Sequence, residues 1–194
     1  MSFTSTVKNE VSKLDTINTE NISELSGILK NTSIIADNIK ISTENASVAR
    51  RIFNLIKTEY NITPKIIVRR GYNFNKNYIY ILELNMENNE IISYLSLDKE
   101  VPKSYLVDDE DLARAYLRGV FLGVGSINDP KKSRYHLEFI VDGEKYACFL
   151  RDLLNKFNLN SKYIKRENKY MVYIKEAEKI GDFLRIINAT QAVF

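Results

Sequence analysis

Apolar residues recur at helical spacing in two matching stretches of the chain. Ala49, Ile52, Phe53, Ile56 and Tyr60 form one stripe, and Ala147, Leu150, Leu153, Leu154 and Phe157 form the other. Spacings of three and four place each set on one face of a helix. Each stripe is followed by two runs dominated by β-branched and aromatic residues, which predict strands. These are Lys65–Arg70 and Tyr78–Leu84 after the first stripe, and Lys162–Arg166 and Lys169–Ile174 after the second. Each stripe is preceded by a helix rich in small and apolar residues, Ile22–Lys30 or Leu112–Leu122, and then a strand, Ser33–Ile41 or Arg134–Val141. A closing amphipathic helix follows near Glu90–Leu97 and at Ala177–Ile187. The pattern helix, strand, helix, two strands, helix is thus written twice, which predicts an α+β fold built by duplication.

The register supports the duplication. Tyr60-Asn61-Ile62 pairs with Phe157-Asn158-Leu159, and Lys65 with Lys162, at an offset of 97, whereas Tyr78 pairs with Tyr170 at an offset of 92. The difference of five falls in the hairpin connection, Gly71–Lys76 in one copy and Glu167-Asn168 in the other. Loops are where insertions accumulate. The chain therefore divides into a first half at 1–97, a linker at 98–111 and a second half at 112–194. The linker holds Pro102 and the acidic run Asp108-Asp109-Glu110-Asp111, which favours a helix N-terminus. No element is read in the polar stretch Met1–Asn18.

With 194 residues, 44% hydrophobic and 27% charged, the chain can build its core without staples. The single cysteine, Cys148, excludes an internal disulfide and leaves a cysteine metal site without partners. The start lacks an apolar secretion segment, and no run approaches the roughly 18 apolar residues of a membrane span. A cytoplasmic protein without membrane contact is expected. The net charge of +3 divides evenly, with 11 basic and 10 acidic side chains in residues 1–97 and 17 and 15 in residues 98–194. Charge alone therefore does not argue for nucleic acid. His136 is the only histidine, so a catalytic triad or a histidine-rich metal site lacks raw material.

The most distinctive segment runs from Ala115 to Ser126. Gly119 and Gly123 lie four apart on one helix face and permit close backbone approach, and Gly125 can end the helix. Taken alone, such spacing describes any tightly packed helix. The repeat adds Leu25-Ser26-Gly27-Ile28 at the equivalent place 92 residues earlier, so two like helices are expected to pack on a pseudo-twofold axis.

The nine residues Leu117–Gly125 resemble the LAGLIDADG motif of homing endonucleases. The longer stretch through Asn128-Asp129-Pro130 and Tyr135-His136-Leu137-Glu138 is similar to the WhiA family of bacterial regulators of sporulation and cell division. Met1-Ser2-Phe3, Val7-Lys8, Glu10, Asp182-Phe183-Leu184-Arg185, Ala189 and Gln191-Ala192 extend that resemblance nearly end to end. It implies two pseudo-symmetric halves of α-β-β-α-β-β-α type, with motif helices packed at their interface through Gly27, Gly119 and Gly123. In active relatives the eighth motif position is a carboxylate that holds divalent cations. Here those positions are Thr32 and Val124, so no metal, no cofactor and no catalysis are expected. Asp129 could be imagined as a substitute, but Asn-Asp-Pro reads as a turn.

In the resembling nucleases helices cover one sheet face and DNA lies on the other, which would direct His136 and Glu138 toward a concave surface. Arg69, Arg70, Lys162, Lys165, Arg166 and Lys169 are the candidates for phosphate contact, against the alternative of charges that merely guard solvated strand edges. Glu83 and Glu138 oppose a phosphate backbone, so binding by this chain alone should be weak and salt-sensitive. The resemblance also implies a C-terminal helix-turn-helix domain, expected as the main DNA reader and not found in these 194 residues. Expected, then, is a monomeric, nucleoid-associated scaffold domain of a DNA-binding transcriptional regulator. Another transcription regulator is a further candidate partner. The competing readings are a protein-interaction module without DNA affinity and a residual homing endonuclease.

Overall fold

Tyr60 is the last residue of one helix, and Phe157 lies in the turn two residues past a helix that ends at Asn155. Each precedes an asparagine in the left-handed region, Asn61 at φ 52° and Asn158 at φ 59°. Asparagine tolerates that conformation better than most residues, so the duplication is visible in the backbone as well as in the sequence. The computed structural model describes residues 2–31, 33–35, 38–71, 77–85, 90–129, 131–132 and 134–193, with side chains 33–35 omitted. After an N-terminal helix, α1 (Phe3–Val11), the first half runs α2 (Asn18–Leu29), β1 (Ser33–Ile35), β2 (Asn38–Thr43), α3 (Ala46–Tyr60), β3 (Lys65–Arg70), β4 (Tyr78–Asn85) and α4 (Glu90–Tyr94). A short 3-10 turn at Ser104–Leu106 precedes the second half: α5 (Glu110–Val124), β5 (Gly125–Ile127), β6 (Leu137–Val141), α6 (Glu144–Asn155), β7 (Lys162–Arg166), β8 (Lys169–Ile174) and α7 (Ala177–Ile186). Two antiparallel sheets result, ordered β1-β2-β4-β3 and β5-β6-β8-β7.

The structure departs from the residue pattern in five places. Ser33–Ile41 holds parts of two strands rather than one, and Gly125–Ile127 is a strand that runs directly from α5, too short to show alternation. The helix near residue 90 ends at Tyr94. Tyr80, opposite Val68, is the counterpart of Tyr170, opposite Lys165, because Val68 and Lys165 are 97 apart. The offset therefore falls from 97 to 90, and the hairpin connections differ by seven residues rather than five between equivalent rungs. Lastly, α1 was not expected. Val7 and Val11, one turn apart, are fully buried, and the Ser2 hydroxyl accepts the Ser5 amide as N-cap at 3.1 Å.

Both sheets bury one face. Ile39, Ile41, Leu82 and Leu84 line the first, and Leu137, Phe139, Val141, Val172 and Ile174 the second, all in one continuous core with α2, α3, α5 and α6. The helices α2 and α5 meet backbone to backbone at its centre. A Cβ on Gly119 would overlap the Glu24 carbonyl, and one on Gly27 would overlap the Tyr116 carbonyl and lie 3.0 Å from Val120 N. Gly123 is different: a Cβ there would stand 3.2 Å from Ile28 O, at an exposed position.

At this crossing the carboxylate of Glu24, fully buried, accepts from two arginines. Arg51 of α3 donates Nε to Oε2 at 2.8 Å and Nη2 to Oε1 at 3.0 Å, and Arg118 of α5 donates Nε to Oε1. Arg51 also bonds the Leu14 carbonyl and the Thr16 hydroxyl, which fastens the segment before α2. On the other side of α2, Ser23 and Ser26 donate to the carbonyls of Leu106 and Leu95, each at 2.7 Å, so the connection between the halves is held along its length. At the edge of β5, the Thr4 hydroxyl accepts from Ile127 N at 2.9 Å and donates to Ile127 O at 2.8 Å. Lys8 of α1 lies 5.6 Å from the Phe121 ring centroid, and burial lowers its ammonium to about 8.

This core makes four changes in stability testable. Gly119→Ala should lower the free energy of unfolding by roughly 2–4 kcal/mol in urea, since helix backbones must separate. Gly123→Ala should stay within about 1 kcal/mol of the parent, with steric cost offset by helix propensity. Glu24→Gln should cost about 3–5 kcal/mol, because it strands two buried guanidinium groups. Lys8 binds fewer protons folded than unfolded between about pH 8 and its ordinary 10.5, so stability rises with pH across that window. Lys8→Met should raise the Tm at pH 7 and remove that rise in a pH series.

Candidate nucleic-acid interface

The faces turned away from the core are mixed, with aliphatic residues such as Ile67, Ile81, Ile140 and Ile164 set among polar and basic ones. On the second sheet they carry His136, Glu138, Lys162, Arg166, Lys169 and Tyr173, alternating with the buried set. On the first they carry Lys40, Lys65, Arg69 and Glu83, with Lys65 opposite Glu83 and Arg69 opposite Ile79. At the 97-residue offset Lys65 matches Lys162 and Arg69 matches Arg166, so the duplication repeats two cations on the two open faces.

Of the six candidate phosphate contacts, Arg69, Lys162, Arg166 and Lys169 lie on these open faces. Arg70, opposite Tyr78, and Lys165, opposite Tyr170, take the other alternation, on the side of the helices. All six are exposed. Arg166 Nη1 is 3.9 Å from Glu138 Oε2, which also meets His136 Nε2 at 3.0 Å, and Lys169 Nζ is 3.4 Å from Asp142 Oδ1. Lys40 Nζ is 4.0 Å from Glu83 Oε1. Pairs this exposed are worth less than about 1 kcal/mol, so their cations can exchange a carboxylate for a phosphate. His136 stacks on Tyr173 with the rings 18° from parallel. The sequence reading passed over Lys131, Lys132, Arg134 and Lys175, all exposed at one end of the second sheet. The adjacent Lys131-Lys132 following a turn was the available signal.

The nuclease-type metal positions offer a different chemistry. Val124 is the half-buried last residue of α5, and Thr32 lies outside the described residues. Asp129 Oδ1 accepts the Lys131 amide at 2.9 Å, which commits it to a turn. Beside Gly123 a cavity of about 200 Å³ is bounded by Ile28, Asn31, Ser42, Thr43, Val48 and Leu122, with Lys40 as the charged group among the described lining residues. An ammonium with neutral side chains and no carboxylate among the described lining residues does not fit Mg²⁺, which is held through carboxylate oxygens. Among the described residues no three His, Cys, Asp or Glu side chains are grouped as a metal site, and no helix is long and apolar enough to cross a membrane.

Residues 18–98 match the WhiA N-terminal LAGLIDADG-like domain, and residues 113–194 the WhiA LAGLIDADG-like domain. A probable cell division protein WhiA of Clostridium botulinum (strain Hall) is 43% identical across 97% of this chain, which spans 65% of that relative's length. The crystal structure of the N-terminal LAGLIDADG domain of a DUF199/WhiA protein superposes with a TM-score of 0.80 at 27% identity, covering 96% of this chain and 90% of that one. The homing endonuclease I-DmoI, solved with DNA and Mn, shares the fold at a TM-score of 0.58 and 16% identity, with 89% of this chain and 99% of that one covered. Two matched motif helices, two sheets in the same strand order and these likenesses agree: the chain belongs to the WhiA family and comprises its LAGLIDADG-like region.

Proposed function

We propose that this region is a non-catalytic scaffold of a DNA-binding transcriptional regulator of cell division, with its two open sheet faces contacting the duplex backbone. The observation that carries the reading is the repetition of Lys65 and Arg69 as Lys162 and Arg166 on the open faces of the two sheets. A duplex has a local twofold symmetry of its backbones, so cations repeated about a pseudo-twofold axis suit it. Glu83 and Glu138 on the same faces keep the affinity low. Sequence selection then falls to a helix-turn-helix domain elsewhere in the full-length regulator. A role in sporulation and a nucleoid location belong to the same proposal.

Catalysis is not part of this reading, because Val124 stands at a position where hydrolysis needs a charged oxygen ligand. A second reading, a docking surface for another regulator, draws on the exposed apolar residues of the outer strands: Ile66 at 46%, Val68 at 54% and Ile164 at 46% exposure.

Fluorescence anisotropy with a random-sequence duplex over a KCl series should show weak binding that steepens as salt falls. Replacing Lys65, Arg69, Lys162 and Arg166 together by Gln should reduce the slope of log K against log salt by about 2–3. The duplex should remain intact with Mg²⁺ or Mn²⁺. Affinity independent of salt would overturn the phosphate reading, and metal-dependent cleavage would overturn the non-catalytic one.

A further inference from the structure

The two halves are close enough in register that a departure from their symmetry stands out. In the first copy β1 ends at residue 35 and β2 begins at 38, whereas in the second β5 is joined to β6 through residues 128–136. That longer connection carries Lys131, Lys132 and Arg134, all exposed. Its neck is braced. Asn128 Oδ1 accepts His136 N at 2.8 Å, Asn128 Nδ2 donates to the Arg134 carbonyl, and Asn128 N donates to His136 O at 3.2 Å. Asp129 sets the turn beyond it, accepting Lys131 N at its side chain and Lys132 N at its carbonyl.

The same end of the sheet holds two more cations. Lys162 begins β7, and Lys175 directly follows β8 with its Nζ 5.3 Å from the Tyr173 ring centroid. In the first copy Lys65 matches Lys162, but the residue at the place of Lys175 is Asn85, from the 90-residue offset of this strand. The carboxylates nearby are already engaged: Asp129 by the Lys131 amide, Glu138 by His136 and Arg166, and Glu176 by Asn160 at 2.5 Å. Among the described residues no carboxylate lies within ion-pair distance of Lys131, Lys132, Arg134, Lys162 or Lys175. Five cations therefore stand at this end, where the matching rungs of the other half hold two among the described residues, Lys40 and Lys65.

We infer that the connection 128–136 is a phosphate-gripping arm, and that contact with a nucleic-acid duplex is asymmetric, anchored at this end of the second sheet. The inference rests on the DNA-contact reading above and adds where the grip lies. Charge complementarity selects the occupant, since a duplex backbone offers a row of regularly spaced anions to a row of braced cations. A braced connection also presents its cations with less ordering cost on contact than a slack one.

The test compares the full 194-residue chain with two variants on the same random-sequence duplex across a KCl series. Lys131→Gln/Lys132→Gln/Arg134→Gln should lower the salt slope by about 2–3 and weaken binding at least roughly tenfold near physiological salt. Lys65→Gln/Arg69→Gln should change the slope by about 1 or less. All five positions are exposed, and matching thermal unfolding confirms equal folding. If the parent binds but the arm variant keeps its slope, or if the first-half variant loses more, the asymmetric arm is wrong and the DNA reading stands. If the parent shows no affinity even at the lowest salt, both fall. If the arm variant loses affinity for a polyglutamate probe while duplex binding is unchanged, the arm serves an acidic protein partner instead.

Discussion

The approach of α2 and α5 without intervening side chains, at Gly27 and Gly119, is the constraint on which the rest of the structure depends. It sets the distance between the halves, and so the separation of the two sheets that each helix carries at its C-terminal end. Such closeness leaves no room for a conventional apolar seam. The space beside the contact is filled instead by Glu24 with Arg51 and Arg118. Buried ion pairs of this kind are weak evidence of stability, because desolvation offsets much of their attraction, and Arg118 Nη2 is buried here without a hydrogen-bond partner. Here one carboxylate ties the two motif helices to α3, and Arg51 ties in the segment ahead of α2 as well. A shift of one helix by a turn would leave the charge uncompensated, so register and pairing are specified together.

The end of α5 is delivered between the sheets, and it delivers Val124, beside a cavity bounded by Lys40 rather than an acid. Each sheet turns one face away from the core. Its register is imposed by that core, since a one-residue slip of any strand would bury the cations and expose the aliphatic residues.

Much of this was legible in the chain. The strands Lys65–Arg70, Lys162–Arg166 and Lys169–Ile174 were read to the residue, because each is bounded by a turn signal and dominated by strand-forming residues. The segment Gly125–Ile127 was not, since three residues cannot show a period of two. Val7 and Val11 are too few, within a polar run, to mark α1 before the core is known. Glu24, Arg51 and Arg118 were invisible as a unit: they are distant in sequence, and charged residues read by default as surface. Within the candidate interface, Arg70 and Lys165 were chosen by residue type, and only the alternation of their strands reveals that they share the helical side. The arm was overlooked because a loop without periodicity draws attention only once its counterpart in the other half is seen to be two residues long.

The Thr4 hydroxyl makes both hydrogen bonds that a neighbouring strand would offer Ile127. A helix thereby ends the second sheet at β5, at the cost of one side chain, where an open strand edge would invite pairing with another chain. The first residues of the protein thus protect an edge more than a hundred positions away. A bulky tag joined directly to the N-terminus, or a deletion reaching Thr4, would uncover that strand edge and favour self-association through it, with no change to any residue of the open sheet faces.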